Sequence, residues 1–211
     1  METLGVIEEH EYTRVQYTQF NQSKSLLFFR KICGYLCLPF LLPLIVFSKL
    51  SDYAFRTASE FLSILPFLFG TIVREAFYQK TLQSCGKNVM VAFGAVFHYK
   101  GITLGDNVLI GLYTTIHHCN IGNDVVIGDG CRLLSGSRHH AFDSTDIPMT
   151  KQGGFMKKIR IGNDIWIGAN SIIMDDIEDG CVIGAGSVVS ARIESYSVCA
   201  GNPARLLRKR K

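Results

Sequence analysis

The chain has 211 residues, a formal net charge of +4 and an apolar fraction of 47%. That length suits one sizeable domain with an appendage. The positive mean hydropathy, +0.19, asks for an apolar surface that faces something other than water. The charge is modest and its basic excess gathers at Arg205–Lys211 (RLLRKRK), which reads either as a run that favours phosphates of a ligand, lipid or nucleic acid or as a solvated tail; no nucleic-acid partner is expected.

Residues 1–25 are polar and aperiodic and read as a loose N-terminal arm, or as a short arm on a neighbour. They carry no basic segment followed by an apolar run, so no ordinary signal peptide is expected. Residues 26–82 hold two apolar stretches, Ile32–Phe47 and Phe61–Val73, both free of charge. Each falls short of the roughly 20 residues that a spanning helix needs. Pro39 and Pro43 are expected to break the first, Pro66 and Gly70 the second. Basic residues flank all three boundaries (Arg30 and Lys31, Lys49 and Arg56, Arg74 and Lys80), which gives no inside/outside asymmetry. The expectation is an apolar helical hairpin lying in or on a membrane surface. The competing reading is a pair of soluble helices packed on the domain.

A six-residue period fills residues 83–200. Aliphatic positions recur at Cys85, Val91 and Phe97, then Leu104, Ile110 and Ile116, then Ile121, Ile127 and Leu133. They resume at Ile161, Ile167 and Ile173, then Ile177, Ile183 and Val189. A repeat this short cannot bury its own apolar side chain and must stack on its neighbours, which defines a β-helix of about five turns. Val108, Val125 and Ile165 take a second inward position, and Gly-Asn/Asp pairs supply the turns. The seven cysteines form no CxxC pair; Cys131 and Cys181 sit at small inward positions and read as buried thiols in a reducing compartment. Residues 134–160 interrupt the repeat with two adjacent histidines, two carboxylates, two aromatics and a glycine pair; loops of this length are usually functional. The chain leaves the repeat through Ala200-Gly-Asn-Pro-Ala204 into a basic tail, 201–211.

The segments IGNDIWIGANSIIM, IGAGSVV and AGNPARLLRKR resemble the hexapeptide-repeat acyltransferases, most nearly the maltose/galactoside and bacterial polysaccharide O-acetyltransferases. The resemblance covers about Cys85 to Arg210. It implies a mainly β fold, a left-handed parallel β-helix, assembled as a homotrimer. It also implies acetyl-CoA as co-substrate, bound between adjacent subunits, with the long loop reaching across.

Acyl transfer from a thioester to a hydroxyl needs a general base near neutral pH, and histidine suits it. His140-Ala141-Phe142-Asp143 matches the His-x-Phe/Tyr-Asp of relatives, so His140 is the expected base, with His139 the alternate and Asp143 or Asp146 the expected orienter. His10 lies in the arm. His98, His117 and His118 lie at corners as surface or interface residues, with His98 on the acceptor side as the alternative. The resemblance places the cofactor against Ala169 and Ala185. Ser190 and Ala191 stand where relatives carry Thr-Lys. Arg205 and Arg208 would meet the cofactor's phosphates, and Trp166 the groove wall or an interface. Gln152-Gly153-Gly154 would let the loop fold over substrate.

These residues lead to a sugar or glycan O-acetyltransferase, its acceptor a polysaccharide precursor or lipid-linked glycan, in the cytoplasm at the inner face of a bacterial plasma membrane. The alternatives are an N-acetyltransferase of an amino sugar or antibiotic, and a histidine-based, carbonic anhydrase-like metalloenzyme. A catalytically dead scaffold is a further reading, and no metal is expected for the first.

Overall fold

The structure is a computed structural model that describes residues 24–210; the arm up to residue 23, with His10, and Lys211 lie outside the described residues. Three helices, α1 (Lys24–Ser48), α2 (Asp52–Ser63) and α3 (Phe67–Thr81), precede a left-handed parallel β-solenoid.

The solenoid has three faces. The first stacks strands at Cys85, Leu104, Ile121 and Ile161 and continues as single bridges through Ile177 and Ile193. The second stacks Val91, Ile110, Ile127, Ile167, Ile183 and Cys199. The third stacks Phe97, Ile116, Leu133, Ile173 and Val189. The expected five turns are therefore about six, because Ile193 and Cys199 add a coil. That coil lacks a third strand: the chain turns at residues 201–204 and returns as an antiparallel strand, Arg205–Lys209, on the second face. The basic tail is thus the last strand of the sheet.

Nearly all the inward aliphatics are fully buried, the secondary positions Val108, Val125 and Ile165 among them. The turn chemistry divides between two residues. Asn107, Asp124 and Asp164 take the left-handed backbone that short polar residues tolerate. The residue before each makes a ladder along the first corner: Asp106 Oδ1 accepts from Lys87 N–H at 2.7 Å, Asn123 Oδ1 from Asp106 N–H at 2.8 Å, Asn163 Oδ1 from Asn123 N–H at 2.8 Å, and Asp179 Oδ1 from Asn163 N–H at 2.7 Å. Each side chain bonds to the coil before it, so the ladder holds register between coils.

The helices close the open end of the solenoid. Phe55, Phe77, Tyr78 and Phe97 stack in sequence and plug its interior, Tyr78 and Phe97 with ring centroids 4.4 Å apart. Ser59 Oγ lies 2.7 Å from the Tyr78 hydroxyl and accepts the Phe97 N–H at 2.9 Å. Arg74, only 1% exposed, donates to the carbonyls of Leu62, Ser63, Leu65 and Val91. Three of these are at or just past the end of α2, where carbonyls lack helical partners and a cation is favoured. One buried side chain thus caps α2 and ties it to the first coil.

The hairpin expected over 26–82 is three helices, and Pro39 and Pro43 do not break the first. Both prolines lie on the exposed side of α1, four residues apart. Gly34, Leu41, Ile45 and Ser48 face inward at helical spacing, and this packing offsets the roughly 3 kcal/mol that each interior proline costs. α1 contains a 21-residue stretch, Phe28–Ser48, long and apolar enough to cross a membrane, with mean hydropathy 1.8. Its outer side exposes Phe28, Phe29, Leu36, Phe40 and Phe47.

Candidate active site

The inserted loop is a folded hairpin. Its limbs pair through Ala141 N–H to Gly153 O (2.9 Å) and Phe155 N–H to Arg138 O (2.8 Å). Gly154 backs directly onto His139: an added Cβ would lie 1.9 Å from the His139 carbonyl oxygen. Gln152, at the end of the short helix α4 (Met149–Gln152), staples the tip by donating to the Ser144 and Ile147 carbonyls and accepting the Ser144 N–H. Lys157 moors the return limb to Asp175 and, at 2.9 Å, to Asp176. Burial works to raise the Asp176 carboxyl, but the Arg160 N–H and Lys157 outweigh it and hold it below its ordinary value.

His139 and His140 project from this hairpin, both exposed, with ring centroids 5.0 Å apart. Among the described residues no hydrogen bond joins Asp143 or Asp146 to either ring. Beneath them, at the corner between the third and first faces, a second histidine pair stacks. His98 and His117 follow Phe97 and Ile116 in register, and their rings lie 4.0 Å apart at 19°. Burial pushes His98 down to about 4, helped by His117 and by Arg56 of α2, with Glu60 opposing. His117 is lowered by burial, then by His139 and Arg56. Of the two loop histidines, His139 is the one whose charge bears on His117. Arg56 and Glu60 are themselves paired at 2.7 Å. Tyr99 packs edge-on to His118 and donates to Met156 Sδ at 3.4 Å.

The sequence placed His98, His117 and His118 at corners as surface or interface residues, with the acceptor side for His98 and a metal set as alternatives, and did not pair His98 with His117. The signal for the stack was present: each of His98 and His117 directly follows a third-face aliphatic. Parallel, stacked rings do not converge on one ion, and among the described residues no group of three histidine, cysteine or acidic side chains is gathered to hold a metal.

The cofactor candidates divide between two corners. Ala169 and Ala185 share a column on successive coils at the corner between the second and third faces, with Gly201 next in line. Gly186 beside Ala185 has open space around an added Cβ. Arg205 pairs with Ala200, immediately before that column, and is exposed. A flat strip without long side chains, ending at a free guanidinium, fits a thin chain that carries phosphates. Trp166, 58% exposed, lies on the second face in the same row as Val182, Val198 and Arg208, about 14 Å from the last. Ser190 and Ala191 are exposed at the other corner, in the columns of His98 and Tyr99. Lys209 is tied to its own coil through the Ser195 carbonyl and Ser197, and Arg210 reaches back to earlier coils through Asp164 and the Gly180 carbonyl.

The comparisons with known proteins agree with this architecture. The model for the hexapeptide repeat of succinyl-transferase matches residues 158–191. A protein of Escherichia coli named for acetyl transfer in colanic acid biosynthesis, WcaF, is 33% identical over 132 residues, 59% of this chain and 68% of that protein. A chloramphenicol acetyltransferase of Escherichia coli is 29% identical over 156 residues, 64% of this chain and 74% of that one. A Mycobacterium tuberculosis protein named as an acetyltransferase is 31% identical over 118 residues; these are 54% of this chain but span only 39% of that relative. Among solved structures, a galactoside acetyltransferase in complex with coenzyme A superposes with a TM-score of 0.63 at 25% identity, covering 76% of this chain and 82% of that one. A Vibrio cholerae hexapeptide-repeat acetyltransferase complexed with acetyl coenzyme A gives 0.62 at 25% identity, covering 75% and 88%. The chain belongs to the hexapeptide-repeat acetyltransferase family.

Proposed function

We propose that this chain transfers an acetyl group from acetyl-CoA to a hydroxyl of a sugar or glycan. The observation that carries the reading is the pairing of a side-chain-poor strip, Ala169 and Ala185 beside Arg205, with a braced loop that presents His139 and His140. The strip would take the pantetheine arm, and Arg205 with Arg208 the phosphates. His140, with His139 the alternate, takes the proton of the acceptor hydroxyl as its oxygen bonds to the thioester carbonyl carbon. The carbon–sulfur bond then breaks and the departing thiol receives that proton. Backbone N–H groups are the natural donors to the transient oxyanion.

In one chain the strip and the loop root lie at different corners of the triangular solenoid. They meet when the loop of one copy reaches the strip of the next, which favours a trimer with three shared sites. Phe142 and Phe155, 68% and 73% exposed on the loop, suit burial in such a boundary. The apolar outer side of α1 supports attachment to the inner face of a membrane, with the acceptor a polysaccharide precursor or lipid-linked glycan. The likeness to a chloramphenicol acetyltransferase favours a second reading, the hydroxyl of an antibiotic as acceptor.

The test is thiol release from acetyl-CoA against a panel of free sugars, lipid-linked glycans, amino sugars and chloramphenicol. Release that depends on a glycan hydroxyl, with one acetyl group gained by that glycan, is the expected result. Release that depends on an amine or on chloramphenicol would overturn the glycan assignment.

A further inference from the structure

A second cleft lies away from the strip and the loop, between α1, α3 and the corner of the first coil. It is about 300 Å³ and is lined by Arg30, Lys31, Lys80 and Lys87, with Glu75 and Asn88. Four cations face one carboxylate, and that carboxylate is already bonded to Arg30 at 2.7 Å. Lys31, Lys80 and Lys87 form no ion pair among the described residues. The nearby Asp106 carboxylate accepts the backbone N–H of Lys87, at 2.7 Å. Asn88 donates its amide to Asn107 Oδ1 at 3.0 Å, which fixes its orientation, and its buried Oδ1 has no partner. Ammonium groups without ion pairs around a small concavity, over an apolar floor of Leu38, Ile72 and Ala76, call for an anion. A phosphate ester meets that demand.

We propose that this cleft binds a phosphate group, presented by the headgroup of a membrane lipid. The lipid source follows from position: the same α1 that gives Arg30 and Lys31 to the cleft exposes Phe28, Phe29 and Leu36 beside them. The inference rests on the membrane reading only for that source. The phosphate site stands apart from acetyl transfer, and thiol release with a soluble acceptor should be unchanged by cleft variants.

The experiment measures binding of the full chain to phosphatidylcholine vesicles with and without phosphatidic acid. Soluble glycerol 3-phosphate serves as a titrant and competitor. Wild type should prefer the phosphatidic acid vesicles. Lys80→Gln/Lys87→Gln should lose that preference by about tenfold, as expected for charge-assisted hydrogen bonds, while keeping its binding to neutral vesicles. A control that removes two cations elsewhere, Arg160→Gln/Arg192→Gln, should keep the preference. Equal loss in cleft variant and control, or no loss in either, would overturn the site. Saturable glycerol 3-phosphate binding that needs Lys80 and Lys87, without any vesicle preference, would keep the phosphate site and overturn the lipid source.

Discussion

Gly154 and the stacked histidines show how single residues set the candidate site. An added Cβ at Gly154 has no room against the His139 carbonyl, so Gly154→Ala should force the two loop limbs apart. Because the loop tip is exposed, the melting temperature should barely move while thiol release falls by about tenfold or more, since small misplacements of a catalytic group are expensive. His98 makes a prediction of opposite character. Its folded pKa is depressed, to about 4, so the unfolded chain binds its proton first. Stability should therefore fall as pH drops below about 6.5, and the loss should accumulate until the folded ring protonates near 4. His117 adds in the same direction. Melting temperature against pH should show this slope in wild type and a shallower one in His98→Asn. The sequence could place His140 by its motif, but the His98–His117 contact is legible only once the coils are aligned. Among the described residues the motif's Asp143 has no hydrogen bond to an imidazole, because the loop limbs pair through backbone and leave that side chain exposed.

At the scale of elements, the solenoid was readable because a six-residue repeat has one way to bury its aliphatics. The sixth coil was not, because its third strand is replaced by the turn at residues 201–204. Ile193 and Cys199 nevertheless keep the 16-residue spacing from Ile177 and Ile183. The helical layer was harder still. Local proline chemistry argued for breaks that tertiary packing overrides, and nothing in the sequence marks Arg74 as the buried tie between α2, α3 and the first coil. Arg74→Met should remove a donor from four carbonyls, of which Leu62 and Ser63 keep the backbone N–H groups of Leu65 and Gly94, and destabilise the fold by about 3 kcal/mol, read as a lowered denaturant midpoint. On the outer side of α1, Phe40→Ser removes an exposed ring (87%) and should weaken binding to neutral vesicles without lowering the melting temperature.

For the whole molecule, the helices plug one end of a β-solenoid, the antiparallel strand closes the other, and the braced loop stands out between them. In the proposed trimer the small-residue strip of one copy would meet the loop histidines of the next. The proposed role of a loop histidine is that of base for acetyl transfer. It is tested most directly by thiol release from acetyl-CoA with a responsive acceptor, comparing wild type, His139→Ala and His140→Ala. His140→Ala should lower kcat by about 100-fold or more, with KM for acetyl-CoA unchanged. Wild-type kcat in both variants would contradict it.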